Sequence, residues 1–232
     1  MAPKIAINGL GRMGKLLLRE LFDNGAGGEI VLINEPFGDL EQLALLLEFD
    51  TVHGRWAGDI STSDGQITIY GTTIPFTQET SIEALPLVEN GVDLVVDCTG
   101  VFKTDAKVAP YYAAGVKKVV VSAPVKDGNA LNLVYGVNHD LYDPASHDLI
   151  TAASCTTNCL APVVKVLHEE IGIKHGSITT IHDVTNTQTI VDKAHKDPRR
   201  ARSALNSLIP TSTGSATAIT LIYPELKGRL NG

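Results

Sequence analysis

With 232 residues, 44% of them apolar, the chain can bury at least one substantial core. A net charge of −7 and only 5% aromatic residues exclude a nucleic-acid surface, which needs a basic stripe. Apolar runs such as Leu94 to Val96 and Val119 to Val121 are too short to cross a bilayer, and Met1-Ala2-Pro3-Lys4 leads into a strand and not into a signal-peptide core. The expectation is a cytoplasmic protein with no membrane or nucleic-acid partner. Three cysteines are an odd count for a disulfide framework, and Cys155 and Cys159 lack the further ligands of a zinc site, so no metal is expected.

Residues Ile5 to Asn8 read as a short apolar strand, followed by Gly9-Leu10-Gly11-Arg12-Met13-Gly14 and an amphipathic helix over Lys15 to Asn24. This is G-x-G-x-x-G between a strand and a helix. Its glycines allow a tight turn, close approach of backbone to pyrophosphate and close helix-to-strand packing, while the helix N-terminus supplies an anion site. Asn8, Gly9, Gly11 and Gly14 are the first candidate cofactor contacts. A second strand, Glu29 to Asn34, leads into Glu35, 21 positions after Gly14. Such folds place there the carboxylate that binds the adenosine ribose, and a carboxylate repels a 2′-phosphate, so NAD is favoured over NADP. A solvated carboxylate at a strand end is the plainer alternative.

Alternation around Gly71 predicts an inserted hairpin over Gln66 to Phe76. Val92 to Asp97 reads as a buried strand, Thr104 to Ala114 as a helix and Lys117 to Ser122 as a further strand of a parallel sheet. Ligands of such sheets lie at the carboxyl ends of strands, which adds Thr99, Gly100 and Ser122 as cofactor contacts. Turn or cap chemistry is the alternative for Thr99 and Ser122.

A strand over Asp148 to Ala153 then meets a helix over Cys155 to Ile171, so Ser154-Cys155-Thr156-Thr157-Asn158-Cys159 puts a thiol at a helix N-terminus. The amides and positive dipole end of a helix favour thiolate, the form that attacks carbonyl carbon. A buried cysteine packing as a small hydrophobe is the alternative, and Cys98 and Cys159 read that way. Alternation over Ser177 to Ile181 predicts a strand ending in His182, placed to pair with the thiol and to take a substrate proton. A purely structural histidine is the competing reading. Thr185, Arg200 and the turn Thr211-Ser212-Thr213-Gly214 supply hydroxyls, a guanidinium and amides, the groups that hold tetrahedral oxyanions; each also reads as a solvated cap or surface residue. The basic cluster Lys196 to Arg202 suits a small anion better than a polymer.

Taken in order, N-G-L-G-R-M-G, N-E-P, V-D-C-T-G-V-F, V-S-A-P, A-S-C-T-T-N-C-L-A-P, T-T-I-H and I-P-T-S-T-G-S-A resemble phosphorylating glyceraldehyde-3-phosphate dehydrogenases over essentially the whole chain. The resemblance implies an α/β fold, with a Rossmann-type parallel sheet over residues 1–153 and the first part of an α+β catalytic domain over 154–232. It implies that Cys155 attacks the aldehyde of glyceraldehyde 3-phosphate, that His182 accepts the hydroxyl proton, that NAD takes the hydride, and that phosphate cleaves the thioester. Arg12, Met13, Glu35 and Ser122 would contact NAD. Ser154, Thr156, Thr213 and Gly214 would bind the attacking phosphate, and Thr185 and Arg200 would help hold the anions of substrate and phosphate. A homotetramer is implied as well.

Glu35 stands where the family usually has aspartate, Thr77-Gln78-Glu79 replaces a basic residue near the adenine, and Asp183-Val184 follows the histidine in place of serine-tyrosine. With L-L-E-F-D-T-V-H-G-R-W, these departures resemble the arsenate-resistance branch, associated with an organoarsenical exporter, in which arsenate replaces phosphate and 1-arseno-3-phosphoglycerate is formed. Relatives continue beyond Pro224 to Gly228 with a further substrate-binding arginine and a final helix, so a C-terminal truncation is expected, with uncovered apolar surface. The competing functions are an erythrose-4-phosphate dehydrogenase using the same thiol and histidine, and a non-catalytic nucleotide- or partner-binding fragment.

Overall fold

The computed structural model describes residues 2–56 and 58–232. They form two compact units, Met1–Ser154 and Cys155–Gly232. The first contains β1 (Ile5–Asn8), α1 (Arg12–Asp23), β2 (Ile30–Asn34), α2 (Leu40–Glu48), β3 (Phe49–Asp50), β4 (Gly54–Arg55), β5 (Ile60–Ser63), β6 (Gln66–Ile69), β7 (Thr72–Thr77), β8 (Leu94–Asp97), α3 (Asp105–Ala113), β9 (Lys118–Val121), β10 (Leu131–Asn132) and β11 (Leu149–Thr151). Nine of these strands make one sheet in the order β10-β11-β9-β8-β1-β2-β7-β6-β5. The core pairings, β2 to β1, β1 to β8, β8 to β9 and β9 to β11, are all parallel.

The central strands are near-continuous runs of Val, Ile and Leu because helices cover both faces of the sheet. Ala6, Leu32, Val95 and Val119 pack with Val108 and Tyr111 of α3 on one face. Ile7 and Ile33 pack with Leu18 of α1 and with Leu43 and Leu47 of α2 on the other. The chain lays β2 on one side of β1 and β8 on the other, so the order reverses at β1. A crevice opens outside the carboxyl ends of strands at such a switch point, and Gly9, Glu35 and Thr99 each follow one of these three strands.

The expected parallel sheet and its helices are present, with one extension. The hairpin predicted around Gly71 is part of a three-stranded meander, β5-β6-β7, closed by two-residue turns at Asp64-Gly65 and Tyr70-Gly71. All four turn residues have positive φ, the conformation that matches the twist of the flanking strands. Helix α2 is capped at its start by Asp39, whose side chain accepts from the Gln42 amide. At its end, buried Arg19 donates to the carbonyls of Leu47, Glu48 and Gly54 at 2.8, 3.1 and 3.3 Å.

The second unit contains α4 (Cys155–Glu170), β12 (Gly176–Ser177), α5 (Ser215–Ile219) and β13 (Leu230–Asn231). The strand expected over Ser177 to Ile181 is only β12, Gly176–Ser177, paired in parallel with β13. Its last ladder bond is Ile178 N–H to the Asn231 carbonyl at 2.8 Å. Alternation sets which face a strand presents, but a strand forms only as far as a partner's ladder runs, so Thr179 to His182 continue outside any sheet. Among the described residues no helix is long and apolar enough to cross a membrane.

Candidate functional site

In the first unit, the candidate cofactor site is the glycine turn between β1 and α1. Gly9 has φ +94°, and a Cβ there would lie 2.7 Å from the Thr99 nitrogen and 2.8 Å from the Cys98 carbonyl carbon. A Cβ on Gly14 would lie 2.0 Å from the Gly9 oxygen. Gly11 differs, since a Cβ there would meet nothing within 4 Å. The outer glycines thus serve the close packing of turn, strand and helix, while the turn stays open at Gly11, the N-cap of α1. An open backbone turn at a helix N-terminus fits a pyrophosphate.

Glu35 accepts from the Leu10 amide at 2.8 Å through Oε2 and from the Phe37 amide at 3.1 Å through Oε1. It therefore holds the glycine turn and keeps further lone pairs for hydroxyl donors. Arg12 pairs with Asp50, whose carboxyl is drawn down to about 2 by the His53 amide, the Val52 amide and Arg12 itself. Met13 is exposed.

Asn8 and Thr99 turn their side chains inward. Asn8 is 4% exposed, and its carboxamide donates to the Tyr111 hydroxyl at 2.6 Å and accepts from Asn34 Nδ2 at 2.8 Å. The Thr99 hydroxyl donates to Asp97 at 2.7 Å and accepts from the Val101 amide at 3.1 Å, which is the turn chemistry open to it. The Ser122 amide donates to the Asp97 carbonyl at 2.9 Å, and Gly100 has φ +69°. Burial pushes the Cys98 thiol up to about 11, which makes it a poor nucleophile.

Asn34 carries a role that the sequence did not single out. Its carboxamide accepts from Thr77 Oγ1 and the Glu79 amide at 2.9 and 2.8 Å, and it donates to the Glu79 carbonyl at 2.9 Å. The segment Thr77-Gln78-Glu79 is thereby pinned to the end of β2.

In the second unit, Cys155 is the first residue of α4 and is exposed. The turn leading to it passes through Ala153, a non-glycine residue with φ +55°, whose amide donates to Thr151 Oγ1 at 3.1 Å. Sharp backbone of this kind is costly and is kept where a site depends on it. Cys155 Sγ lies 3.3 Å from His182 Nε2, and His182 Nδ1 lies 2.7 Å from the Asp183 carbonyl. A carbonyl can only accept, so Nδ1 carries a proton, and in the neutral ring Nε2 then presents a lone pair to the thiol. The Asp183 carbonyl is a second feature missed in the sequence, because a backbone contact leaves no trace in residue identity. Cys159, expected to be structural, is exposed, so packing gives it no such role.

A cavity of about 660 Å³ is lined by Thr156, His182, Thr185, Arg200, Thr211 and Thr213, among others. Half-buried Arg200 donates through Nη2 to Thr211 Oγ1 at 2.9 Å. Thr185 is held by Gln188, which accepts from its amide at 2.8 Å and from its hydroxyl at 3.0 Å. Thr213 and Ser215 share a hydroxyl contact of 2.8 Å, with Thr180 Oγ1 3.3 Å from Thr213. Gly214 immediately precedes α5. Of the expected anion contacts, only Ser154 falls in the first unit, as its last residue. One guanidinium among several hydroxyls suits tetrahedral anions. No cluster of three or more metal-ligating side chains occurs among the described residues.

Comparison with known proteins gives a consistent result. The profile of glyceraldehyde 3-phosphate dehydrogenase, NAD binding domain, matches residues 3–105, and that of glyceraldehyde 3-phosphate dehydrogenase, C-terminal domain, matches residues 154–232. The chain is 57% identical to glyceraldehyde-3-phosphate dehydrogenase 3 of a Nostoc species over 232 residues, 100% of this chain and 68% of the relative. It is 47% identical to glyceraldehyde-3-phosphate dehydrogenase of Streptomyces coelicolor and 46% identical to glyceraldehyde-3-phosphate dehydrogenase 1 of Bacillus subtilis, with the same coverage. The first unit thus carries an NAD-binding domain, and NAD is the cofactor.

Proposed function

This chain belongs to the glyceraldehyde 3-phosphate dehydrogenase family, and on that premise we propose that it oxidises glyceraldehyde 3-phosphate through a thioester on Cys155 that phosphate or arsenate releases. The observation that carries the proposal is the 3.3 Å contact between Cys155 Sγ and His182 Nε2, with the histidine's other nitrogen occupied by a carbonyl.

Cys155 gives its proton to His182 Nε2 and forms a C–S bond to the aldehyde carbon. The imidazolium protonates the resulting alkoxide, which yields a hemithioacetal and restores neutral histidine. Nε2 then takes the hydroxyl proton back as the C–H electron pair leaves as hydride. NAD supplies the acceptor for that hydride. The product is a thioester, which keeps the oxidation energy until an oxyanion attacks its carbonyl, expels the Cys155 thiolate and departs as the acyl phosphate or acyl arsenate.

Arg200, Thr185 and the Thr211 to Gly214 turn hold the anionic groups of substrate and acceptor in this reading, with Ser154 and Thr156 on the acceptor. Phosphate and arsenate are near-isosteres, and hydroxyls around one guanidinium accept both. Arsenate as the natural acceptor is supported by the sequence departures at Glu35, Thr77 to Glu79 and Asp183-Val184. A cytoplasmic homotetramer completes the proposal on family grounds.

The test is NADH formation from glyceraldehyde 3-phosphate and NAD, with phosphate or arsenate as acceptor and Cys155→Ser as the blank. Turnover with either acceptor that the substitution abolishes is expected. Turnover that persists in Cys155→Ser, or acceptor-independent turnover at the same rate, would overturn the proposal.

A further inference from the structure

Behind the glycine turn, polar side chains at the carboxyl ends of three adjacent strands stand in register: Asn34 opposite Asn8, and Asn8 opposite Asp97. They are joined by a hydrogen-bond chain that runs in one direction. Asn34 donates to Asn8 at 2.8 Å, Asn8 donates to the Tyr111 hydroxyl at 2.6 Å, and that hydroxyl donates to Asp97 Oδ2 at 2.8 Å. From the other side, the Thr99 amide and hydroxyl donate to Asp97 Oδ1 at 3.0 and 2.7 Å. Each donor in such a chain polarises the next, and a carboxylate is the acceptor that gains most from it.

We propose that Tyr111 is a positioning residue for NAD: its buried hydroxyl fixes the Asp97 carboxylate, which holds the turn from Cys98 to Val101 against the glycine turn of the cradle. Tyr111 enters from α3 and is 0% exposed. Its ring would serve the core equally well as phenylalanine. A buried hydroxyl is unfavourable unless paired, so its placement between Asn8 and Asp97 calls for a reason beyond packing.

That reason is the absence of slack at the turn. The Thr99 nitrogen and the Cys98 carbonyl carbon occupy the space a Gly9 Cβ would need, at 2.7 and 2.8 Å, so the two turns pack backbone to backbone and a shift of Thr99 toward Gly9 has no side chain to absorb it. Only the Asp97 carboxylate holds both the amide and the hydroxyl of Thr99. The titratable groups facing Asp97 are Tyr111 from α3 and Cys98 from its own turn, and neither is a cation. The carboxylate is steadied by donors alone, and the Tyr111 hydroxyl is the one that comes from outside the turn. Burial holds the Asp97 carboxyl above the ordinary carboxylate range. Protonation on acidification would place a donor where donors already point. The proposal rests on the NAD-binding domain and not on the reaction proposed above.

The experiment measures the NAD dissociation constant of the 232-residue chain, Tyr111→Phe, Asp97→Asn and the double variant between pH 5 and 8. Circular dichroism monitors folding, and the alkylation rate of Cys155 serves as a control in the second unit. Tyr111→Phe is expected to keep the fold and the alkylation rate while weakening NAD about tenfold, or about 1.4 kcal/mol. Asp97→Asn should weaken NAD comparably, and the double variant no more than the worse single, because both act through one chain of contacts. The parent should lose NAD affinity on acidification, and Asp97→Asn should not. A purely structural role would lower the melting temperature and leave the dissociation constant in place. Affinity within twofold of the parent in Tyr111→Phe, or losses that multiply in the double variant, would overturn the proposal. Should Tyr111→Phe fail to fold, Asp97→Asn decides: tenfold weaker binding that has become independent of pH supports it, and unchanged binding overturns it.

Discussion

The two units hold their working parts in opposite ways. In the first, the groups that shape the cradle are buried: Asn8, Asn34 and Asp97 are at most 4% exposed, and each makes two or more hydrogen bonds. In the second, Cys155 and His182 are exposed, and the histidine ring rests between the Asp183 carbonyl and the thiol itself. A turn whose backbone amides bind a diphosphate must keep one shape, and saturated buried hydrogen bonds supply that. The proposed nucleophile and base would have to move protons and form and break a covalent bond, and groups at the ends of elements with few bonds are suited to it. The contrast predicts that damage to the second unit appears in turnover and damage to the first appears in cofactor affinity.

The largest expected effect is at His182. Replacing it with Asn removes the proposed base and should lower turnover about 10²- to 10⁴-fold with NAD affinity unchanged, as steady-state rates and direct NAD titration would show. An unchanged turnover would mean that Nε2 is not the proton acceptor. Next in size is Gly9→Ala, which forces a Cβ into the Thr99 nitrogen at a φ of +94°. It should weaken NAD by well over tenfold while the alkylation rate of Cys155 stays at the parent value; a fall in both would break the division between the units.

Arg200→Lys keeps a charge but loses the planar fork and the bond to Thr211. We expect about a tenfold rise in KM for the acceptor anion and little change in NAD binding, read from initial rates at varied phosphate. The smallest effect concerns pH and stability. Asp97 has its folded value raised by burial, so its contribution to stability is fully present below the ordinary carboxylate range and is lost as pH rises through the folded value. The stability difference between Asp97→Asn and the parent should therefore move in favour of the variant from pH 4 to pH 8, as urea unfolding midpoints would show. A constant difference would mean that the burial of that charge is unimportant.

Much of the first unit was legible in the sequence because its strands are short apolar runs bounded by glycine, and its fingerprint turn needs particular residue types at fixed spacing. The region from Leu40 to Arg55 was not read as helix and hairpin, although Asp39 as N-cap and the spacing of Leu40, Leu43 and Leu47 carry the signal for α2. The chain from Asn34 through Asn8 and Tyr111 to Asp97 was invisible, since Asn8 and Tyr111 are 103 positions apart and nothing local marks the pairing. For the same reason the inward hydrogen bonds of the Thr99 and Asn8 side chains were not foreseen when both were named as cofactor contacts. In the second unit, Cys155 was marked by a helix start that sequence shows well. The strand expected before His182 was overextended, because alternation cannot tell how far a partner strand will run.

The central claim is a covalent thioester on Cys155, and a single-turnover experiment tests it most directly. The chain is mixed with NAD and glyceraldehyde 3-phosphate in the absence of phosphate and arsenate, and NADH and the mass of the peptide containing Cys155 are followed together. One NADH per active chain, an acyl adduct confined to Cys155, and its release on adding either oxyanion are the predicted results. NADH formed without an adduct, or no adduct in protein that binds NAD, would contradict the account.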